Sequence, residues 1–379
     1  METLLQDFIG VIGAMCDAFS CGLIAIYYGF NMVPAGIGFA IGAVFAAVFS
    51  LATPISFQPE SIILLGNTGK NFKERLSMLV IAGVILMVLG VSGLLNAIIN
   101  YIGGAILAGM LAGVGIILVK ACLEMLSEDR ISGMIAMAAA IIVYFVTGDV
   151  MYALFASIIS ACIVYNVKRV KSGKVQTGEI QAAESEELQK ISEADSEAPK
   201  TYLARLKSQM VFIKPNLKSP VVWLGALSFC ALQIGANISY GSITADYAGQ
   251  AFDVSKLTFA SGMADSVAAL FGGAPMGSII ALTAFAPHPV AVAIIFMSIM
   301  AVLLIFTNVA KVFSKYVPVA GVAPYAFILG ALFVLPDNLK LVIAESGNSI
   351  AGIIAFAVTS ITNPFYGMIA GIVCKLFAL

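Results

Sequence analysis

Long apolar runs separated by short polar, proline- or glycine-bearing joints follow one another along almost the whole chain. Stretches such as Leu76 to Leu95 and Val290 to Val309 are apolar on every face, with no polar stripe and no polar–apolar alternation. A hydrocarbon core of about 30 Å takes about 20 such residues per helix. A chain in lipid must satisfy its own backbone hydrogen bonds, which a helix does within one segment. A membrane β-barrel would need alternating polarity that is absent here. The pattern predicts an all-α polytopic membrane protein.

The runs fall into two blocks. The first, residues 1–166, has runs near 8–28, 34–51, 54–67, 76–98, 103–122, 131–147 and 149–166. The second, residues 219–379, has runs near 220–240, 258–272, 274–285, 289–309, 316–335, 346–361 and 363–378. The third run of each block is short and broken, by Pro54 and Pro59 in one and by Gly272, Gly273 and Pro275 in the other. Matched interrupted spans in two halves point to a site built from discontinuous helices. Ala52-Thr53-Pro54-Ile55-Ser56 parallels Gly273-Ala274-Pro275-Met276-Gly277, and Asn100-Tyr101-Ile102-Gly103 parallels Lys315-Tyr316-Val317-Pro318, in similar register. Duplication explains both pairings. Seven spans is an odd number, so the second copy enters the membrane inverted, giving 14 transmembrane segments as two inverted 7-span repeats.

Composition sharpens this picture. The chain has 379 residues, of which 60% are hydrophobic and 11% charged, against about one quarter charged in soluble proteins. Mean hydropathy is +1.01. Half of the basic residues, 10 of 20, lie between Asn166 and Pro220. That linker, 167–218, also holds Glu184, Glu186, Glu187, Glu193, Asp195 and Glu197, too polar to bury a core, and reads as a solvated tether. Its end, Tyr202 to Pro215, mixes basic and apolar residues in the manner of an interfacial amphipathic helix. Lys70, Lys73 and Arg75, Lys120 and Arg130, Lys168 to Lys174, and Lys311 and Lys315 fall on one side of a 14-span arrangement. The positive-inside rule makes that side cytoplasmic and leaves both termini outside. Met1 to Asp7 has two acids and no base, so no signal peptide is expected. The six cysteines lie inside apolar runs without metal-like spacing, and the single histidine, His288, sits between Pro287 and Pro289. No nucleophile–base pair, metal set or phosphate loop indicates an enzyme.

Charged groups within apolar spans need a reason, since each costs about 2.5–3.5 kcal/mol on insertion scales. Asp17, midway along the first span, and Glu60, after Pro59, are the candidates for ion coupling. Asp149 reads as a turn residue, and Asp265, in the first turns of a helix beginning near Thr258, as a structural one. In the third span a proline at the first helical position leaves unpaired N–H groups beyond it. There Ser56, Phe57 and Gln58 offer a hydroxyl, a ring to stack on and an amide edge, and Pro275, Gly277 and Ser278 form the matching stretch. Gln233 and Asn237, four apart on one helix face with Ser239 and Tyr240 nearby, make a polar wall.

Pro54-Ile55-Ser56-Phe57-Gln58-Pro59 resembles the proline-flanked third-span motif of the adenine/guanine/hypoxanthine permease branch of the nucleobase–cation symporter family. Gly93 to Ile117, with Ala112-Gly113-Val114-Gly115, resembles that branch's fifth span, and Ala264-Asp265 and Ala323-Pro324 also fit. The resemblance implies a core and a gate domain, a purine or other nucleobase as solute, alternating access, and both termini in the cytoplasm, opposite to the charge reading. Where that family carries acids in its eighth and tenth spans this chain has Gln233 and Ala281, which leaves coupling to Asp17 or Glu60. An alternative resemblance is to the sulfate permease family of anion transporters, through Leu270-Phe271-Gly272-Gly273-Ala274-Pro275, Thr283-Ala284 and Ile106-Leu107-Ala108-Gly109. Phe365-Tyr366-Gly367 resembles benzoate transporters. The expectation is therefore a secondary transporter of a small planar solute in the cell membrane, coupled to H+ or Na+ and with no other cofactor. Its expected partners are the solute, the bilayer and a second copy of the chain, with no nucleic acid.

Overall fold

The computed structural model describes residues 2–148, 150–171, 206–207, 209–310, 312, 317–345 and 349–377. Asp149, the acidic run 184–197, Lys311, Lys315 and Tyr316 lie outside them. The first half gives helices α1 (Glu2–Tyr27), α2 (Met32–Phe49), strand β1 (Ile55–Phe57), α3 (Pro59–Thr68), α4 (Phe72–Ser92), α5 (Leu94–Ile102), α6 (Gly104–Glu128), α7 (Arg130–Thr147) and α8 (Val150–Lys171). The second half gives α9 (Pro220–Ala248), α10 (Val254–Leu270), strand β2 (Met276–Ser278), a single 3-10 turn Leu282–Phe285 and α11 (Pro289–Phe306). It ends with α12 (Ala323–Ala344), α13 (Ser349–Ile361) and α14 (Pro364–Leu376). Among the described residues, eight helices are long and apolar enough to cross a membrane. The chain is a multi-pass α-helical membrane protein of two inverted seven-span repeats.

Local chemistry sets the boundaries. Proline occupies the first turn of α3, α9, α11 and α14, where its missing N–H costs nothing. Side-chain caps serve α4, through Asn71 to Glu74 N–H at 2.9 Å, and α10, through Asp253 to the Ser255 and Lys256 N–H groups. Gly93, at φ 72°, ends α4 in the left-handed conformation, so the run 76–98 is two helices and not one span.

Two further expectations are corrected. The apolar run near 274–285 is not a helix: β2 is followed only by the four-residue turn Leu282–Phe285. Pro287 forces Ala286 into extended backbone (φ −74°, ψ 150°), and too few residues remain before it for a helix. Of the helix expected over 202–215, the described residues 206–207 and 209 are helical, but Val211–Asn216 are not. That stretch runs extended beside the end of α10, where the N–H groups of Val211 and Ile213 serve the Phe271 and Leu270 carbonyls at 3.1 and 2.9 Å. Those carbonyls have no partner inside their own helix.

The chain forms two compact units that each draw on both halves. The first comprises α1, α2, β1, α3, α4 and α5 up to Tyr101, with α9, α10, β2 and α11; the second comprises α6–α8 with α12–α14. In the first unit α2 packs on α11 and α10 packs on α4, so the second span of each half lies against the fourth span of the other. Such reciprocity is what an inverted duplication produces. α4 and α10 approach closely at Gly83 and Gly262, where a side chain on either would lie 2.7 Å from the other's carbonyl oxygen. In the second unit α12 carries a π-helical stretch, Ile328–Val334.

Candidate functional site

Inside the first unit the two broken spans meet. β1 and β2 pair antiparallel, with Ile55 opposite Ser278, Ser56 opposite Gly277 and Phe57 opposite Met276. Alternation gives this short ribbon two faces. One carries Ile55, Phe57 and Met276, with Ser278 opposite Ile55, and packs on α2: the Phe57 and Phe39 rings meet edge-on at 5.2 Å, and Gly38 and Gly42 make room for Met276 and Ile55. The other carries Ser56 and Gly277, and it is polar.

Gly277 is the low point of the polar face. A side chain there would run into Gln58 Oε1, with Gln58 Cδ at 2.7 Å and Gln233 Nε2 at 2.9 Å. Gln58 stands at the N-cap position of α3 without a side-chain capping bond, accepts from Ser61 Oγ, and reaches Ser278 O at 3.5 Å, the outer limit of a hydrogen bond. Gln233, from α9, donates to Met276 O at 2.8 Å. Ser56 Oγ on this face, Gln233 Oε1 beside it and Ser278 Oγ on the ribbon's other face are buried without a hydrogen-bond partner among the described residues. Buried polar atoms are nearly always paired, so a concentration of unpaired ones at one junction marks a place that receives something. Pro275 is buried immediately before β2, where it removes a backbone donor.

The acids lie at the start of α3 and beside it. Glu60, the second residue of α3, is 3% exposed; its Oε1 accepts from the Tyr240 hydroxyl of α9 at 2.6 Å, and its Oε2 has no partner. Asp17, buried on α1, is close enough for its charge to act on Glu60, and Cys21 Sγ lies 4.0 Å from its Oδ1. No Lys or Arg pairs with Glu60 among the described residues. Asn237 does not face the ribbon as Gln233 does. It donates to Thr258 Oγ1 and Ser261 Oγ of α10 at 3.1 and 3.2 Å, and its Oδ1 is left over. Both are buried, yet the one reaches the site and the other ties α9 to α10.

Asp265 was assigned a helix N-terminus, and the structure corrects this. α10 begins at Val254, four residues earlier than expected, so Asp265 lies in its C-terminal half and accepts from Met276 N–H of β2 at 2.6 Å. Tyr240, expected in the polar wall beside Asn237, is the member of that wall that meets the acid of α3, through its hydroxyl on Glu60 Oε1. Thr53 and Thr244 complete the frame, bonding the Gly241 and Ile279 carbonyls at 3.4 and 3.3 Å.

No protein-family model matches the chain, and no curated protein matches it. Solved structures do. The transmembrane domain of the bicarbonate transporter BicA from a cyanobacterium superposes with TM-score 0.65 at 14% identity, over 100% of this chain and 97% of that one. The murine Solute Carrier 26 family member A9 anion transporter in its inward-facing state gives 0.66 at 12% identity, over 100% and 68%. A further structure of SLC26A9 gives 0.59 at 14%, where this chain spans 65% of that protein's length. At such identities the likeness carries the fold. It also corrects the resemblance to nucleobase–cation symporters, because the matching structures are of a bicarbonate and an anion transporter. The proline-flanked motif Pro54–Pro59 lies where strand β1 gives way to α3.

Proposed function

We propose that the chain is a secondary transporter of a small anion, similar in type to the sulfate permeases, and that Asp17 and Glu60 carry its coupling cation, H+ or Na+. The solute binds where β1, β2 and the N-terminus of α3 converge. One observation carries this reading: a buried junction of unpaired polar atoms sits at the crossing of two interrupted spans, in a fold shared with anion transporters.

The chemistry follows from charge. The start of a ten-residue helix presents free N–H groups and the positive end of its dipole to an anion. A carboxylate at Glu60 repels that anion and must be neutralised before the anion can bind. Anion and cation therefore favour each other's binding, by linkage. Neutralising Glu60 also lowers the cost of a buried charge, so the loaded site crosses the membrane more easily than the half-loaded one.

The test is uptake of labelled bicarbonate, sulfate and chloride into proteoliposomes under inward H+ or Na+ gradients. One anion should accumulate in a gradient-dependent way, and Asp17→Asn with Glu60→Gln should remove the gradient dependence. Uptake of an anion that ignores both gradients and survives the double substitution supports an uncoupled exchanger or channel instead; uptake of none refutes anion transport.

A further inference from the structure

Both amides at the polar face of the ribbon have their direction fixed by the protein. Gln58 turns each end inward, Oε1 to the Ser61 hydroxyl and Nε2 towards Ser278 O. Gln233 directs both hydrogens of its Nε2 away from the face: one goes to Met276 O at 2.8 Å and the other to the Asp265 carboxylate. Both of those partners are acceptors, so the amide cannot be turned round. What Gln233 leaves over is Oε1, an oxygen that can only accept, buried and without a partner among the described residues. The whole residue is 0% exposed.

Groups of the opposite kind stand beside it. Ser56, also 0% exposed, holds a hydroxyl that can donate and has no partner among the described residues. The first turn of α3 presents N–H groups, and its N-cap residue Gln58 makes no side-chain bond to them. These elements converge at Gly277, which lies opposite Ser56 across the ribbon and whose Cβ position abuts both the Gln58 and the Gln233 amide. The junction therefore sets several donors against one fixed acceptor. Chloride, nitrate and sulfate only accept; each would satisfy the donors but leave Gln233 Oε1 stranded, and a buried acceptor without a hydrogen is costly.

We infer that Gln233 selects the solute by a hydrogen: the site takes an oxyanion that keeps an O–H group of its own, of the bicarbonate or hydrogen phosphate kind. That O–H donates to Gln233 Oε1, while the charged oxygens accept from Ser56 and the first turn of α3. Asp265 and Met276 aim the amide, and neither needs to touch the solute. The inference rests on the anion reading above and narrows it.

Two pairs of anions isolate the hydrogen. Bicarbonate and nitrate are both planar with a single negative charge, hydrogen phosphate and sulfate both tetrahedral with a double one, and only the first of each pair carries an O–H. Titration calorimetry of the full-length protein in mildly alkaline Na+ buffer should show, in each pair that binds, the hydrogen-bearing member bound about tenfold or more tightly than its partner. Gln233→Lys keeps donors for Met276 O and Asp265 but brings no acceptor, so in folded protein the preference should vanish or reverse. Equal binding within a pair, or a preference for nitrate or sulfate, overturns the inference and leaves an anion site standing. A preference that persists in folded Gln233→Lys overturns it as well, because the role then belongs to another group. Binding of none of the four anions removes the anion reading and this inference with it. The wild-type comparison decides the matter even where the variant fails to fold.

Discussion

Gly277 shows how much of the site depends on a side chain being absent. Its Cβ position is taken by the Gln58 and Gln233 amides, so Gly277→Ala must push both away from β2. Overpacking of this kind costs about 1–3 kcal/mol, and the expected outcome is a lowered Tm together with at least tenfold weaker anion uptake. Tyr240→Phe acts in the opposite way, by deletion: it leaves Glu60 Oε1 without its 2.6 Å donor. A stranded buried acceptor costs about 1–3 kcal/mol, so the gradient dependence of uptake should weaken roughly tenfold or more, as read from initial rates. The candidate residues on the third span were legible because proline, glutamine and glutamate are conspicuous in an apolar run. Asp265 was not: its partner is the backbone N–H of Met276, eleven residues on, and backbone partners leave no mark in side-chain patterns. Gln233 and Asn237 were paired by helical periodicity, which fixes a common face but not what that face meets.

At the scale of elements, joints decide the fold. Gly93 ends α4 at φ 72° with open space where a Cβ would be, so Gly93→Ala isolates the left-handed penalty of about 1–2 kcal/mol and should lower Tm without touching any neighbour. Gly83→Ala is the contrasting case, since its Cβ would lie 2.7 Å from Gly262 O and wedge α4 from α10; a larger fall in Tm is expected. Asp129, between α6 and α7, accepts from Lys168 Nζ at 2.7 Å and from Ser132 Oγ at 2.6 Å. Burial pushes its carboxyl up, but the hydrogen bonds from Lys168 and Ser132 outweigh this and hold it below the ordinary range. A depressed acid stabilises above its unfolded pKa of about 3.9, and that contribution disappears as pH falls through the folded value. Lys168→Met should therefore lower Tm at neutral pH, and the gap to the parent should close on acidification below about pH 4. Element boundaries were readable where prolines and capping residues mark them. The missing half-helix after β2 was not, because the apolar run continues unbroken to Phe285 and only the downstream Pro287 stops it from coiling.

For the molecule as a whole, the membrane class and the doubled seven-span pattern were plain in the hydropathy, since apolar runs of this length have few other uses. What the chain order conceals is that the compact units interleave: each takes spans from both halves, which no linear division of the sequence expresses. Solute class was hidden too. In this chain the proline-flanked motif marks the passage from strand β1 to α3, a matter of backbone geometry that does not name a solute. The most direct measurement is uptake of labelled bicarbonate, sulfate and chloride by wild-type proteoliposomes beside Gly277→Leu, whose side chain occupies the ribbon's polar face. Saturable uptake of at least one anion by the wild type, abolished by Gly277→Leu in folded protein, is expected; undiminished uptake by Gly277→Leu, or none of any anion by the wild type, contradicts an anion site at this junction.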